Sequence, residues 1–289
     1  MYFDFATWLR IPRLILDEPF RLKRALFLWA VFLGLSLLSV VNFFCLALDR
    51  ILFPAHRNTP VEAPIFIVGN GRSGTTHIHR MLSADGERFS YFKTWELLLP
   101  SIVQHKALEL LDALDRRLLG GFVRRRLQHG EDQALEDIRK LHDWQATGSE
   151  EDDFVMFANW SSVSLIFPFP YVELEYLFWT DREPREKRRR ILGFYRSMLQ
   201  RLVYCRGGGR IHCGKSPQFT LKMRALLEVF PDARFIVMLR HPFETIPSLL
   251  DQMSRYWRGM GAPEALVEAS AKLLGEIQIA QSPCPRGRG

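Results

Sequence analysis

The chain has 289 residues, of which 47% are hydrophobic and 25% charged, and carries a formal net charge of +7. That length suits one large α/β domain with an appendage. The four cysteines, Cys45, Cys205, Cys213 and Cys284, include no CxxC pair, and the eight histidines form no HExxH, which argues against a disulfide framework or structural zinc. The basic surplus fits an anionic ligand or an anionic membrane surface. No aromatic-interleaved basic stripe or nucleic-acid reading motif is present, and the Arg-rich runs at 124–126 and 188–190 sit in helical patterns rich in Glu and Asp, so nucleic acid is not expected as a partner.

Residues 1–24 combine Trp8, several Phe and Leu, and Arg10, Arg13, Arg21, Lys23 and Arg24, the pattern of a basic amphipathic segment at a membrane interface. Residues 25–48 hold no charge and are long enough to cross a bilayer as one helix; the alternative is a hairpin or a helix buried against the domain. A single-pass membrane protein is therefore expected. The charge bias across the run weakly favours a cytoplasmic N-terminus, and the side on which the following domain lies stays open.

The globular domain is expected over 64–280. Residues 65–68 read as a short apolar strand, 74–84 as a helix, and 105–143 as polar, helical material. Helices follow at 152–160 and 184–204, then a strand at 210–214, a helix at 218–230, a strand at 234–239 and helices at 243–257 and 262–280. Apolar strands alternating with helices predict a parallel sheet covered on both faces, a P-loop NTPase-like three-layer α/β fold. Residues 281–289 read as a disordered tail.

Three strand ends carry candidate chemistry. Residues 64–76, PIFIVGNGRSGTT, have the strand, Gly-rich turn and helix start of a phosphate-cradling loop. Thr75 stands where a nucleotide P-loop has its lysine, which argues against transfer of a γ-phosphate, and Arg72 supplies a cation one turn earlier. Lys215 follows the strand at 210–214. Arg240 ends the strand at 234–239, and Ser248 lies two turns into the next helix; the two suit a second phosphate, the alternative being an Arg240–Glu244 pair.

These motifs, in this order, resemble the sulfotransferases that use 3′-phosphoadenosine 5′-phosphosulfate (PAPS), in particular the bacterial and tyrosylprotein groups, over residues 64–257. The resemblance implies that Arg72, Ser73, Gly74, Thr75 and Thr76 bind the 5′-phosphosulfate and that Arg240 and Ser248 bind the 3′-phosphate. It implies Lys215 as the cation on the leaving oxygen. Glu96, within Thr94-Trp95-Glu96, becomes the candidate general base, with His77 and His79 as rivals and a helix-N-terminal surface carboxylate as the alternative. Glu151, Asp152 and Asp153 resemble an acidic cluster that orients an acceptor or caps a helix. No metal is required, because Arg72, Lys215 and Arg240 supply the positive charge. The expected reaction is in-line transfer of the sulfuryl group to a hydroxyl on a glycan, lipid, tyrosine or small alcohol.

This chain departs from those relatives at Phe219, where a His is frequent, and at Gln252, where tyrosylprotein sulfotransferases have an Arg. After Trp257 the family usually adds another strand. Here a helix and a tail follow, so a truncated or frame-shifted C-terminal part is expected. The competing functions are a non-catalytic membrane protein retaining the fold and a P-loop kinase or NTPase.

Overall fold

The computed structural model describes residues 1–122, 125–126 and 151–282. The part of the expected polar stretch from 127 to 143, residues 123 and 124, and the tail beyond residue 282 lie outside the described residues.

Among the described residues, four parallel strands form the sheet, in the order β2-β3-β1-β4: β1 Ile65–Gly69, β2 Phe89–Ser90, β3 Ile211–Lys215 and β4 Arg234–Met238. The strand period of two divides β1 between two cores. Ile65 and Ile67 face Ile78 and Leu82 of helix α3, Thr75–Ser83. Phe66 and Val68 face the opposite layer, with Tyr195 and Met198 of α6, Arg185–Cys205, and Leu226 of α7, Met223–Val229. Helices on both faces explain why β1 is apolar throughout, and burying a ring such as Phe66 contributes about 1.5–3 kcal/mol.

The helix expected over 152–160 is instead a short 3-10 segment, Asp152–Met156, followed by turns. The one expected over 218–230 divides into a 3-10 segment, Pro217–Lys222, and α7. Helix α8, Pro242–Gly259, opens at a proline, which suits a helix start because the missing N–H would have no partner there, and α9, Glu264–Gln281, has Pro263 at its N-cap.

The N-terminal elements belong to the folded body. Helix α1, Phe5–Asp17, is capped by the Asp4 carboxylate, which accepts from Thr7 N at 3.1 Å. Helix α2, Leu22–Leu52, is long and apolar enough to cross a membrane. One stripe of it (Arg24, Leu28, Phe32, Leu35, Asn42, Leu46, Asp49) is buried. Leu28 and Phe32 share a core with Trp160, Met253 and Trp257. At its far end Asp49 pairs with Arg201 of α6 at 2.7 Å, and its carboxylate also accepts from the start of α5, Ile102–Leu118.

Candidate active site

The loop after β1 turns sharply. Gly69 has φ +144°, and a Cβ there would meet the Met238 carbonyl oxygen at 2.4 Å, so only glycine lets the loop pass β4. The Thr220 hydroxyl accepts from Gly69 N at 2.9 Å and fixes the entry to the loop. Arg72 takes a left-handed backbone, φ 67°, and Gly74, φ 95°, is the N-cap of α3. The amides of Thr75 and Thr76 open α3 without intrahelical partners by helix geometry and point out of the positive end of the helix dipole, whereas His77 N donates to the Gly74 carbonyl at 3.0 Å. The Ser73 hydroxyl is buried with no hydrogen-bond partner. An orphaned hydroxyl in a turn that aims amides outward suits a bound anion.

The loop meets the helix after β4. Arg72 Nε donates to Ser248 Oγ of α8 at 3.2 Å, and Arg240 donates to the Arg72 carbonyl at 3.4 Å. Arg72, Ser248 and Arg240, distant in the chain, therefore converge at the C-terminal edge of the sheet. Arg240 also pairs with Glu244 at 2.9 Å, both side chains being more than half exposed, so the carboxylate alternative is present in the same structure. Asn70 and Gly71 are held by α9: Asn70 Nδ2 donates to Ser282 Oγ at 2.7 Å, and Gly71 N donates to Gln278 Oε1 at 3.2 Å.

Lys215 ends β3, in register with Ile67 of β1. It is buried, and its Nζ donates to Glu151 Oε1 at 3.3 Å, while Glu151 Oε2 is buried without a partner. The segment carrying Glu151 is fixed by its neighbours. Asp152 Oδ2 accepts from the Tyr195 hydroxyl at 2.5 Å and from His212 Nε2 at 2.7 Å. Asp153 pairs with Lys222 at 2.7 Å, both fully buried, and accepts from Ser162. Burial, then the Asp152 charge, drives the Tyr195 hydroxyl well above its usual range, so it stays a donor.

Glu96 has a different environment. It lies in α4, Thr94–Leu98, and is 3% exposed. Lys93 N donates to its Oε2 at 2.7 Å, and Arg206 donates to both oxygens at 2.9 Å. Its carboxylate is a helix cap and the ion-pair partner of Arg206. Of the two histidines considered beside it, His77 is exposed on α3, whereas His79 is buried and donates from Nε2 to the Cys213 carbonyl at 2.9 Å. Burial lowers the His79 pKa to about 4, so its ring is neutral. Phe219, at the position of a frequent His, is fully buried in the core around Phe66 and Tyr195. Thr220 and Gln278 could not be singled out beforehand, because nothing in their local pattern signals a contact with a loop some 150 to 200 residues away in the chain.

A family model described as "Sulfotransferase family" matches residues 64–277. Two curated relatives, each an omega-hydroxy-beta-dihydromenaquinone-9 sulfotransferase Stf3, from Mycobacterium bovis and Mycobacterium tuberculosis, are 30% identical over 272 residues. That alignment takes in 86% of this chain and 59% of each relative, so the chain spans less than two thirds of their length. Among solved structures, sulfotransferase STF9 from Mycobacterium avium aligns with a TM-score of 0.63 at 20% identity, over 96% of this chain and 70% of that one. Sulfotransferase STF1 from Mycobacterium tuberculosis aligns with a TM-score of 0.61 at 18% identity, over 94% of this chain and 73% of that one.

Proposed function

The chain belongs to the sulfotransferase family, and from that premise we propose that it transfers the sulfuryl group of PAPS to the hydroxyl of a membrane-borne lipid. The observation that carries the donor assignment is the convergence of Arg72, Ser248 and Arg240 beside the unpartnered Ser73 hydroxyl. The residues present fit a nucleotide with two anionic ends. The amides from Gly74 to Thr76, the Thr75 and Thr76 hydroxyls and Arg72 hold the 5′ end, and Arg240 with Ser248 holds the 3′-phosphate.

PAPS, when bound, supplies the sulfuryl group. Lys215 stabilises the charge that develops on the bridging oxygen as its bond to sulfur breaks. Glu151, held beside Lys215 and with one oxygen free, takes the proton of the acceptor hydroxyl as the new sulfur–oxygen bond forms. The buried network of Asp152, His212, Tyr195, Asp153 and Lys222 keeps Glu151 in position. The name of the Stf3 relatives, which specifies an omega-hydroxylated menaquinone derivative, supports a lipid acceptor, and so does helix α2, which is long and apolar enough to cross a membrane. Release of 3′-phosphoadenosine 5′-phosphate from PAPS, measured with a hydroxylated isoprenoid quinol in mixed micelles, tests the proposal. Arg72→Ala should lower kcat/KM by at least about a hundredfold, and unchanged turnover in that variant would refute the assignment.

A further inference from the structure

Helix α2 has two unlike faces. The buried one is tied to the domain through the middle of the helix as well as at its ends. Phe32 packs on Trp160 at 5.3 Å between ring centroids, and Trp160 Nε1 donates to Ser39 Oγ at 3.1 Å. Asn42 Nδ2 donates to the Leu98 carbonyl at 2.9 Å, and its Oδ1 accepts from Gln104 at 2.7 Å. A helix crossing a bilayer meets lipid, or other membrane-embedded helices, at mid-length. Here mid-length is occupied by a water-soluble domain, and pulling α2 away would strand Asn42, Asp49 and Arg201.

The other face is apolar without interruption. Leu26, Leu33, Leu37, Val40, Phe44 and Leu48 are each 43–66% exposed, and they run about 33 Å along the helix. Helix α1 packs on α2 through the Trp8–Phe32 stack and the Trp8–Ser36 hydrogen bond, and carries exposed Phe5, Leu9 and Leu16, with exposed Phe20 in the connection between the two helices. So large an exposed apolar patch marks an interaction surface. Exposed basic groups stand at both ends: Arg10, Arg13, Arg21 and Lys23, against Asp17, at one, and Arg50 and Arg57 at the other.

We propose that this face seats in one leaflet of an anionic lipid bilayer, with α2 lying in the membrane plane rather than crossing it. Cationic groups at both ends suit anionic headgroups on either side of a submerged apolar strip. The same arrangement disfavours a second copy, since a two-fold pairing of α2 in either direction sets positive ends against positive ends. The inference rests on α1 and α2 alone and holds whatever reaction the domain performs.

The test adds the full chain to preformed sealed vesicles of phosphatidylcholine and phosphatidylglycerol. Co-flotation is expected, and Leu37→Glu with Phe44→Glu should reduce the bound fraction by about tenfold or more while leaving the far-ultraviolet spectrum unchanged, because both positions are exposed. For orientation, Lys23→Cys and Arg50→Cys are placed in a background with Cys45→Ser, Cys205→Ser and Cys284→Ser. A membrane-impermeant maleimide added outside should label both introduced thiols equally. Labelling at one end only would mean that α2 crosses the bilayer and would overturn the proposal. So would flotation that survives the double glutamate variant, or a wild-type chain that ignores vesicles and self-associates through this face.

Discussion

Asp49→Ala is the sharpest perturbation of the interface that joins α2 to the domain. The Asp49 carboxylate is fully buried and accepts from Arg201 Nε at 2.7 Å, Ser101 Oγ at 2.7 Å, Val103 N at 2.9 Å and Ile102 N at 3.1 Å. Arg201 is 2% exposed, so truncating Asp49 leaves a guanidinium buried without its counter-charge, a loss of about 3–5 kcal/mol. The start of α5 loses part of its cap as well, although Ser101 Oγ still accepts from Val103 N at 3.2 Å, which limits that loss to about 0.5–1 kcal/mol. A total of about 3.5–6 kcal/mol is a large fraction of the stability of a domain of this kind. Denaturant unfolding of wild type and variant in the same mild detergent measures it. Asp49→Leu combined with Arg201→Met should recover most of the loss, because removing both charges leaves neither one stranded. A loss below about 1 kcal/mol for Asp49→Ala would refute the docking of α2, since a helix held apart from the domain has no such pair to break.

Further outcomes follow from the site. Glu151→Gln should lower kcat by about 10²–10⁴-fold with little change in KM for PAPS, whereas Glu96→Gln should lower the thermal midpoint and leave kcat within a few-fold; the reverse split in steady-state kinetics would return the proton-accepting role to Glu96. Gly214→Ala would place a Cβ 2.4 Å from Asp152 Oδ2 and 2.9 Å from His212 Nε2, so a destabilisation of about 1–3 kcal/mol is expected in thermal unfolding. His79 is neutral in the fold, its pKa lowered to about 4 by burial, while its unfolded value is near 6.5. Between those values the unfolded chain binds the extra proton, so stability is full above about pH 6.5 and falls as the pH drops towards 4, by on the order of 3 kcal/mol. His79→Gln, which keeps an N–H for the Cys213 carbonyl, should flatten that dependence in urea titrations, and an unchanged slope would contradict it.

The turn from Gly69 to Thr76 was legible because a strand that passes through glycines into a helix start leaves a distinct local pattern, and both Gly69 and Gly74 do take positive φ; the placement of Arg240 and Ser248 near that turn was legible because they follow the end of a neighbouring parallel strand. Strand β1 was legible because a strand buried on both faces is apolar throughout; β4 was legible from its apolar run although, at the sheet edge, it is only partly buried. Strand β2 was not, since two residues, Phe89 and Ser90, carry no period. The helix expected at 152–160 failed because Asp152 and Asp153 bond to His212, Tyr195 and Lys222, partners far away in the chain that outweigh local helical preference. The pairing of Glu96 with Arg206, 110 residues on, was not legible, because it is a tertiary fact. The docking of α2 left a faint trace. Arg24, Asn42 and Asp49 fall on one stripe of the helix, a signal that average hydropathy over the run conceals.

The central claim is a site for a nucleotide that bears both a 5′ anion and a 3′-phosphate. Calorimetric titration of the full chain with 3′-phosphoadenosine 5′-phosphate and with ATP, repeated on Arg240→Ala, tests it most directly. The account predicts that 3′-phosphoadenosine 5′-phosphate binds at least about tenfold more tightly than ATP, a difference of about 1.4 kcal/mol or more, and that Arg240→Ala abolishes the preference. Tighter binding of ATP, or a preference that persists without Arg240, would contradict it.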